Sequence, residues 1–119
     1  MADSKLDQGR ACLILTGEAV MAEDIATALS DQFGDVEVII ARSPAEALAA
    51  LQPVDRLLAA VADMDPEDFA RHPLAAAVEA RNGPVILISE EESALGPEQP
   101  WPVVEKPFRS EYLVYLLSS

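Results

Sequence analysis

The stretch WPVVEKPFRSEYLVYLL, residues 101–117, carries the clearest information about the fold. Residues 102–105 have the length of a short strand, and residues 110–117 have the apolar spacing of a closing helix. Between them, Lys106 places a cation at the carboxyl end of the strand, and Pro107 fixes the backbone that follows. A lysine in that position usually meets an anion, so this stretch predicts a polar crevice at the edge of a sheet.

Four short, continuous apolar runs precede this stretch, and each is typical of a strand that is buried on both faces. They are ACLILT at 11–16, VEVIIA at 36–41, LLAAVA at 57–62 and PVILIS at 84–89. Residues 17–33 have helical spacing and end near Gly34. Two later helices open with a capping residue followed by proline, at Ser43 and Asp65, and Pro73 interrupts the second of them.

Strands and helices therefore alternate along the chain, which predicts an α/β fold with a doubly wound parallel sheet. In such sheets the functional residues lie at the carboxyl ends of the strands. Those ends fall at Thr16 to Glu18, at residues 60–63, at Ser89 and at Lys106.

Length and charge restrict the classes of function. The 119 residues suit one domain, which we place at 11–119 after a flexible N-terminal segment at 1–10. A net charge of -13 disfavours binding to nucleic acid or to anionic membranes. The chain has no apolar run of membrane-spanning length and no signal peptide, so we expect a cytoplasmic protein. Cys12 is expected to be a buried small hydrophobe, and His72 a residue on a helix surface.

The whole chain resembles the receiver domain of bacterial two-component response regulators. CLILTGEAVMAEDIATAL at 12–29 resembles the family's first strand and helix, SPAEALAAL at 43–51 its second helix, PVILIS at 84–89 its fourth strand, and VVEKPF at 103–108 its fifth strand with the Lys-Pro pair. The resemblance implies a flavodoxin-like fold with five parallel strands in the order 2-1-3-4-5. It also implies that Ser89 and Lys106 stand at the hydroxyl and lysine positions of the family's phosphorylation site.

The family's chemistry is phosphorylation of an aspartate at the end of the third strand, with Mg²⁺ held by two acids after the first strand. Here Thr16 and Gly17 occupy the positions of those acids, and Glu18 is the one carboxylate beside them. Because one carboxylate is a poor magnesium ligand set, we expect Mg²⁺ binding to be lost or weak and no cofactor to be bound. The resemblance thus gives a degenerate pocket of Thr16, Gly17, Glu18, Ser89 and Lys106.

The phosphoacceptor position falls in LLAAVADMDPEDF, where two registers remain open. Aligning Asp55 with the acidic residue at the start of the family's strand places the acceptor at Ala60. Aligning Pro66 with the family's proline after the acceptor places it at Ala62. Either register gives alanine, and Asp63 is the nearest carboxylate. We expect Asp63 to be a solvated loop acid, and an acceptor only if the strand ends in a bulge.

The segment EEESALGPEQPW, residues 90–101, departs from the family pattern. Its glycine and prolines leave at most about two helical turns, so we expect the fourth helix to be shortened or missing. Val103 replaces the family's aromatic switch residue, so the usual readout of phosphorylation is expected to be dismantled. Trp101, Tyr112 and Tyr115 are candidate partner-binding residues, with packing over the shortened crossover as the alternative for Trp101.

These features favour a non-enzymatic, stand-alone pseudo-receiver that acts in phosphorelay signalling by phosphorylation-independent protein binding. A histidine kinase or another signalling protein is the expected partner, and the family also implies homodimerisation through the fifth strand and the last helix. The first alternative is a receiver that a histidine kinase still phosphorylates on Asp63. The second is a flavodoxin-like module that binds a small anion or nucleotide against Lys106, although Gly17 alone does not make a glycine-rich phosphate loop.

Overall fold

A computed structural model describes residues 10–34, 36–89, 101–105 and 112, 113 and 115. The elements in these ranges are β1 (Arg10–Leu15), α1 (Ala19–Phe33), β2 (Glu37–Ala41), α2 (Pro44–Ala50), β3 (Arg56–Ala62), α3 (Pro66–Arg71), α4 (Pro73–Ala80), β4 (Val85–Ser89) and β5 (Val103–Glu105). Residues 112, 113 and 115 are helical, as predicted for the closing helix. The predictions for the segment 1–9, the shortened helix after β4, and Lys106 lie outside the described residues.

The five strands form one parallel sheet in the order β2-β1-β3-β4-β5, which confirms the predicted topology. Each strand differs from its sequence prediction by about one residue at an end, because the last hydrogen bond to a neighbour sets where a strand stops. Thr16, predicted to end the first strand, lies just beyond β1, although its N–H still donates to the carbonyl of Ala41 at 3.0 Å. Arg10, predicted to be in the flexible segment, begins β1.

Alternation along the strands divides the core between the two faces of the sheet. On one face, Leu13, Phe69 and Leu87 are buried together with residues of α2, α3 and α4. On the other, Ile14 and Ile88 are buried against α1 and Leu113. Helices therefore cover both faces, which confirms the doubly wound arrangement.

The interior of the second face also contains Cys12, as predicted. Burial raises the pKa of its thiol to about 11. A backbone hydrogen bond with Ala59 acts in the opposite direction but has the smaller effect. The thiol is therefore a small apolar group at neutral pH rather than a nucleophile.

The caps of α1 and α2 follow the sequence with one difference. Gly34 ends α1 with a φ of 75°, a left-handed conformation that favours glycine. At α2, the Ser43 hydroxyl accepts the N–H of Glu46 at 3.2 Å, as a capping box requires. The Glu46 carboxylate, however, accepts the N–H of Arg42 at 2.6 Å, one residue before the expected partner.

The predicted interruption at Pro73 separates α3 from α4. His72 ends the first of these helices and caps the second, because its Nδ1 accepts the N–H of Leu74 at 3.0 Å. Pro73 follows at the first position of α4, where a missing N–H costs no hydrogen bond. His72 is therefore a half-buried residue at the junction of two helices, where its ring caps the second.

In the turn after α4, Arg81 links α4 to the segment between α2 and β3. The Arg81 guanidinium donates from Nε to the carbonyls of Leu51 and Val54 at 3.1 and 2.8 Å, and from Nη1 to the carbonyl of Ala77 at 2.8 Å. Gly83 lies against Leu57 so closely that an added Cβ would stand 2.5 Å from the Leu57 Cβ. None of the helices in the described ranges is long and apolar enough to cross a membrane.

Candidate functional site

The carboxyl ends of β1, β3 and β4 open into a cavity of about 480 Å³. Three of the predicted pocket residues, Thr16, Gly17 and Ser89, line it, and Asp63 and Asp65 line it from the loop after β3. The cavity lies where open parallel sheets usually bind their ligands, at the point where the strand order reverses. The fold therefore brings these predicted residues together.

Glu18, the fourth predicted pocket residue, does not line this cavity. Glu18 is exposed; its N–H donates to the Thr16 hydroxyl at 3.1 Å, and its carbonyl accepts the N–H of Ala22 at the start of α1. Lys106 lies outside the described residues. The predicted pairing of Lys106 with a fixed carboxylate therefore stays a prediction.

Asp63 meets Thr16 just beyond the ends of the neighbouring strands β3 and β1. The N–H of Asp63 donates to the carbonyl of Leu15 at 2.8 Å, which continues the ladder between β3 and β1 by one residue. The Thr16 hydroxyl then donates to Oδ2 of Asp63 at 3.2 Å. Asp63 is thus in the loop before α3, as predicted, but it is half-buried and hydrogen-bonded to Thr16.

The pairing of β3 settles which face of the sheet each candidate acceptor occupies. Ala62 pairs with Leu87, so its side chain is on the same face as those of Leu87 and Ser89. Ala60 and Ala62 are each 1% exposed and belong to the core under α2, α3 and α4. Asp63 comes directly after β3, where its side chain meets Thr16 at the mouth of the cavity.

A register shift between β1 and β3 does occur, but at the amino end of β3. Ala11 pairs with Leu57 and Cys12 pairs with Ala59, which leaves Leu58 as the extra residue. The end of β3 runs in regular register as far as Ala62. The bulge at the strand end that would turn Asp63 to the face of Ser89 is absent from the pairing of β3 with β1.

Ser89 has a different carboxylate as its partner. Ser89 is 4% exposed, and its hydroxyl donates to Oδ1 of Asp65 at 2.8 Å. Asp65 stands at the N-cap position of α3, yet its side chain makes no capping hydrogen bond to the helix. The prediction that Asp65 caps this helix by its side chain was wrong, because its carboxylate is directed to the strand end instead.

Two further charged residues that sequence reasoning missed line the same cavity. Asp68 extends from the first turn of α3, and Arg42 directly follows β2. Arg42 could have been found, since it occupies the carboxyl end of a strand as Thr16 and Ser89 do. The described part of the cavity wall thus carries three aspartates and one arginine, which is a net negative charge.

The described residues do not fit the Mg²⁺ ion that the resemblance implies. In these ranges, no group of three or more His, Cys, Asp or Glu side chains is placed to hold a metal ion. Thr16 and Gly17 offer one hydroxyl and no side chain where two carboxylates would be needed. Every fully buried side-chain nitrogen or oxygen in the described ranges has a hydrogen-bond partner, so none of them awaits a ligand.

The aromatic candidates divide into one packed residue and one exposed pair. The Trp101 ring meets Phe69 edge-on, with centroids 4.9 Å apart and an interplanar angle of 86°. Trp101 is half-buried over the core of the α2–α4 face, which is the packing alternative considered for it. Tyr112 and Tyr115 are 50% and 68% exposed and stack with centroids 6.5 Å apart.

Searches with the sequence found no matching family model and no matching curated protein. Solved structures, in contrast, match over most of the chain. The chemotaxis response regulator CheY4 of Vibrio cholerae has a TM-score of 0.68 and 19% identity, and the match covers 92% of this chain and 96% of that one. A response regulator receiver protein from Sinorhizobium medicae has a TM-score of 0.65 and 26% identity, with 91% and 90% covered.

A CheY-like receiver domain protein from Methanospirillum hungatei is similar to the same extent, with a TM-score of 0.64, 19% identity and 92% of each chain covered. These neighbours share with the chain the five-stranded parallel sheet in the order 2-1-3-4-5 that the sequence pattern and the strand pairing both give. The protein has the CheY-like fold of response-regulator receiver domains.

Proposed function

We propose that this protein is a non-enzymatic, phosphorylation-independent receiver domain that acts in two-component signal transduction by binding a protein partner in the cytoplasm. The observation that carries the proposal is that Asp63 and Ser89, which line the same cavity, are hydrogen-bonded to different residues. Phosphoryl transfer in receivers needs an acceptor carboxylate and a hydroxyl that meet at one phosphoryl group. Here the Asp63 carboxylate accepts the hydroxyl of Thr16, and the Ser89 hydroxyl donates to the carboxylate of Asp65.

The local charge supports the same conclusion. A phosphoryl donor is an anion, and the cavity presents Asp63, Asp65 and Asp68 to it. Without a metal ion between them, these carboxylates would repel the donor and the charge that develops during transfer. Among the described residues of this wall, Arg42 supplies one cation against three carboxylates.

Signalling without phosphorylation requires a surface that a partner recognises. The exposed pair Tyr112 and Tyr115 is one candidate, because stacked aromatic rings offer a large contact area at a low entropic cost. A histidine kinase or another signalling protein is the proposed class of partner. Homodimerisation through the same region is the competing use of this surface.

One observation favours a second candidate function, phosphorylation on Asp63. This carboxylate is the acid nearest to the end of β3, and it lines the cavity. A movement of the loop after β3 that released Asp63 from Thr16 would be needed before it could meet a phosphoryl donor.

Exposure to acetyl phosphate and Mg²⁺, followed by intact-mass measurement, distinguishes the two functions. We expect no gain in mass under conditions that phosphorylate an ordinary receiver domain run in parallel. A gain of one phosphoryl group that disappears in Asp63→Asn, and persists in the matched variant Asp68→Asn, would establish the second function instead. Pull-down of histidine kinases with the unmodified protein then tests whether binding occurs without phosphorylation.

A further inference from the structure

The chain contains a single asparagine, Asn82, and a glycine follows it directly. The pair lies in the turn between α4 and β4. In an Asn-Gly pair the backbone nitrogen of the glycine can attack the side-chain amide of the asparagine, because glycine has no Cβ to shield that nitrogen. Whether the reaction occurs in a folded protein depends on how firmly the two reacting groups are held.

The fold itself favours this pair of residues in the turn. Asn82 has a φ of 58°, a left-handed conformation that asparagine tolerates better than most residues with a side chain. It follows Arg81 at the end of α4, where helices commonly adopt this conformation. Gly83 lies against Leu57, whose Cβ would be 2.5 Å from an added Cβ. Position 82 thus favours asparagine or glycine, and position 83 favours glycine alone.

Neither reacting group is restrained by a hydrogen bond within the described part of the chain. Asn82 is exposed, and its side-chain amide has no hydrogen-bond partner among the described residues. The N–H of Gly83 likewise donates to no acceptor in these ranges. The N–H of Asn82 does donate, to the carbonyl of Glu79 at 3.0 Å, but this nitrogen takes no part in the attack. Rotation of the amide towards the Gly83 nitrogen therefore breaks no hydrogen bond of either group.

The reaction needs only water and hydroxide. Hydroxide removes the proton from the Gly83 nitrogen, which then attacks Cγ of Asn82. The N–Cγ bond forms, the Cγ–Nδ2 bond breaks, and the side-chain nitrogen takes a proton from water and leaves as ammonia. Water then opens the five-membered imide at one of its two C–N bonds. Opening at the side-chain carbonyl gives aspartate, and opening at the backbone carbonyl gives isoaspartate, in which the main chain runs through Cβ and Cγ.

The two products have different effects on the turn. Strand β3 holds the turn at both ends, because the Leu57 N–H donates to the carbonyl of Arg81 at 3.0 Å and the Ala60 N–H donates to the carbonyl of Pro84 at 2.9 Å. Isoaspartate adds one main-chain carbon between these two hydrogen bonds, next to a contact that leaves no room for a Cβ. Aspartate adds one negative charge to an exposed side chain and leaves the backbone unchanged.

We propose that Asn82 is a site of spontaneous modification in the folded protein. Cyclisation with Gly83 converts it to isoaspartate and aspartate, and the isoaspartate form loosens the entry to β4. The turn precedes β4, whereas the crevice lies at the carboxyl end of that strand, so the modified residue is remote from the crevice. The reaction depends on the turn alone and goes beyond the proposed signalling function.

Incubation of the whole protein at mildly alkaline pH, with and without urea, tests the site. After digestion with pepsin at acidic pH, where cyclisation is slow, mass spectrometry measures the loss of the Asn82 amide. Electron-transfer fragmentation separates isoaspartate from aspartate. We expect the folded protein to convert no more than about tenfold more slowly than the unfolded chain, since no hydrogen bond of the reacting groups has to be broken first. Slower conversion than this, or retention of the amide, would overturn the proposal.

Two variants identify the reacting group and the consequence of its modification. Asn82→Gly has no side-chain amide and accepts the same φ, so it should fold and show no conversion. An equal loss of amide in this variant would come from a glutamine and would refute the assignment to Asn82. Asn82→Asp has the charge of the modified protein with a normal backbone. We expect the isoaspartate form, purified by chromatography, to unfold at a lower urea concentration than Asn82→Asp. Equal midpoints would contradict the proposed loosening of the turn.

Discussion

The hydrogen bond between Ser89 and Asp65 allows a quantitative test of the crevice geometry. Ser89→Ala removes the hydroxyl that donates to Oδ1 of Asp65 at 2.8 Å, from a side chain that is 4% exposed. A hydrogen bond to a charged group contributes about 1.5–3 kcal/mol to stability when both partners are shielded from water. Asp65 is half-buried, so water can solvate its carboxylate again after the substitution. We therefore expect the free energy of unfolding to fall by about 1–2 kcal/mol, with Tm lower by about 4–8 °C.

A double-mutant cycle isolates the contribution of the pair. Urea unfolding followed by circular dichroism would be measured for Ser89→Ala, Asp65→Ala and the double variant, with Asp68→Ala replacing Asp65→Ala in a parallel cycle. We expect a coupling energy of about 1 kcal/mol or more between Ser89 and Asp65, and close to none between Ser89 and Asp68. A coupling near zero for the first pair, or equal couplings in the two cycles, would refute the view that Asp65 holds the Ser89 hydroxyl.

Three further predictions concern stability away from the crevice. Arg81→Ala should lower the free energy of unfolding by about 2–3 kcal/mol because three hydrogen bonds from the guanidinium are lost, and Arg81→Lys should recover only part of this loss, since an ammonium lacks the planar fork; urea titration of both variants checks it. Gly83→Ala should cost about 1–3 kcal/mol because the new Cβ would meet Leu57, whereas Gly17→Ala, which meets nothing within 4 Å, should cost much less in the same titration. Because burial raises the pKa of Cys12 to about 11, the unfolded thiol ionises first, so stability present below about pH 9 is lost as the pH rises towards 11. Unfolding measured from pH 8 to pH 10 should show this loss in the native protein and a smaller one in Cys12→Ala.

The fold was predictable because its elements depend on local pattern. A strand with a continuous apolar run such as LLAAVA has apolar side chains on both faces. Helices must therefore cover each face of the sheet to exclude water. The proline after Ser43 and the glycine at 34 mark where helices begin and end by fixing backbone geometry. Strand limits were less certain, since the end of β1 depends on the carbonyl of Ala41, a residue in another strand.

The pairings within the crevice were not predictable, because they depend on which face each residue of β3 occupies. The extra residue Leu58 shifts the register near the amino end of the strand, and no local feature of LLAAVA announces it. The Asp65 carboxylate had two kinds of donor within reach, the N–H groups of the helix and a hydroxyl from a distant strand. The residues around Asp65 do not show which donor its carboxylate meets, because Ser89 comes near Asp65 only in the folded sheet.

The contact between Trp101 and Phe69 makes the tryptophan an intrinsic fluorescence probe of α3. The chain contains one tryptophan, so all of its indole fluorescence comes from this position. Its ring rests on a residue of α3, and the same short helix begins directly after Asp65, which holds Ser89 at the crevice. A ligand or substitution that displaces α3 would change the surroundings of that one fluorophore. Occupancy of the crevice can thus be followed in the unlabelled protein, at low concentration and in real time.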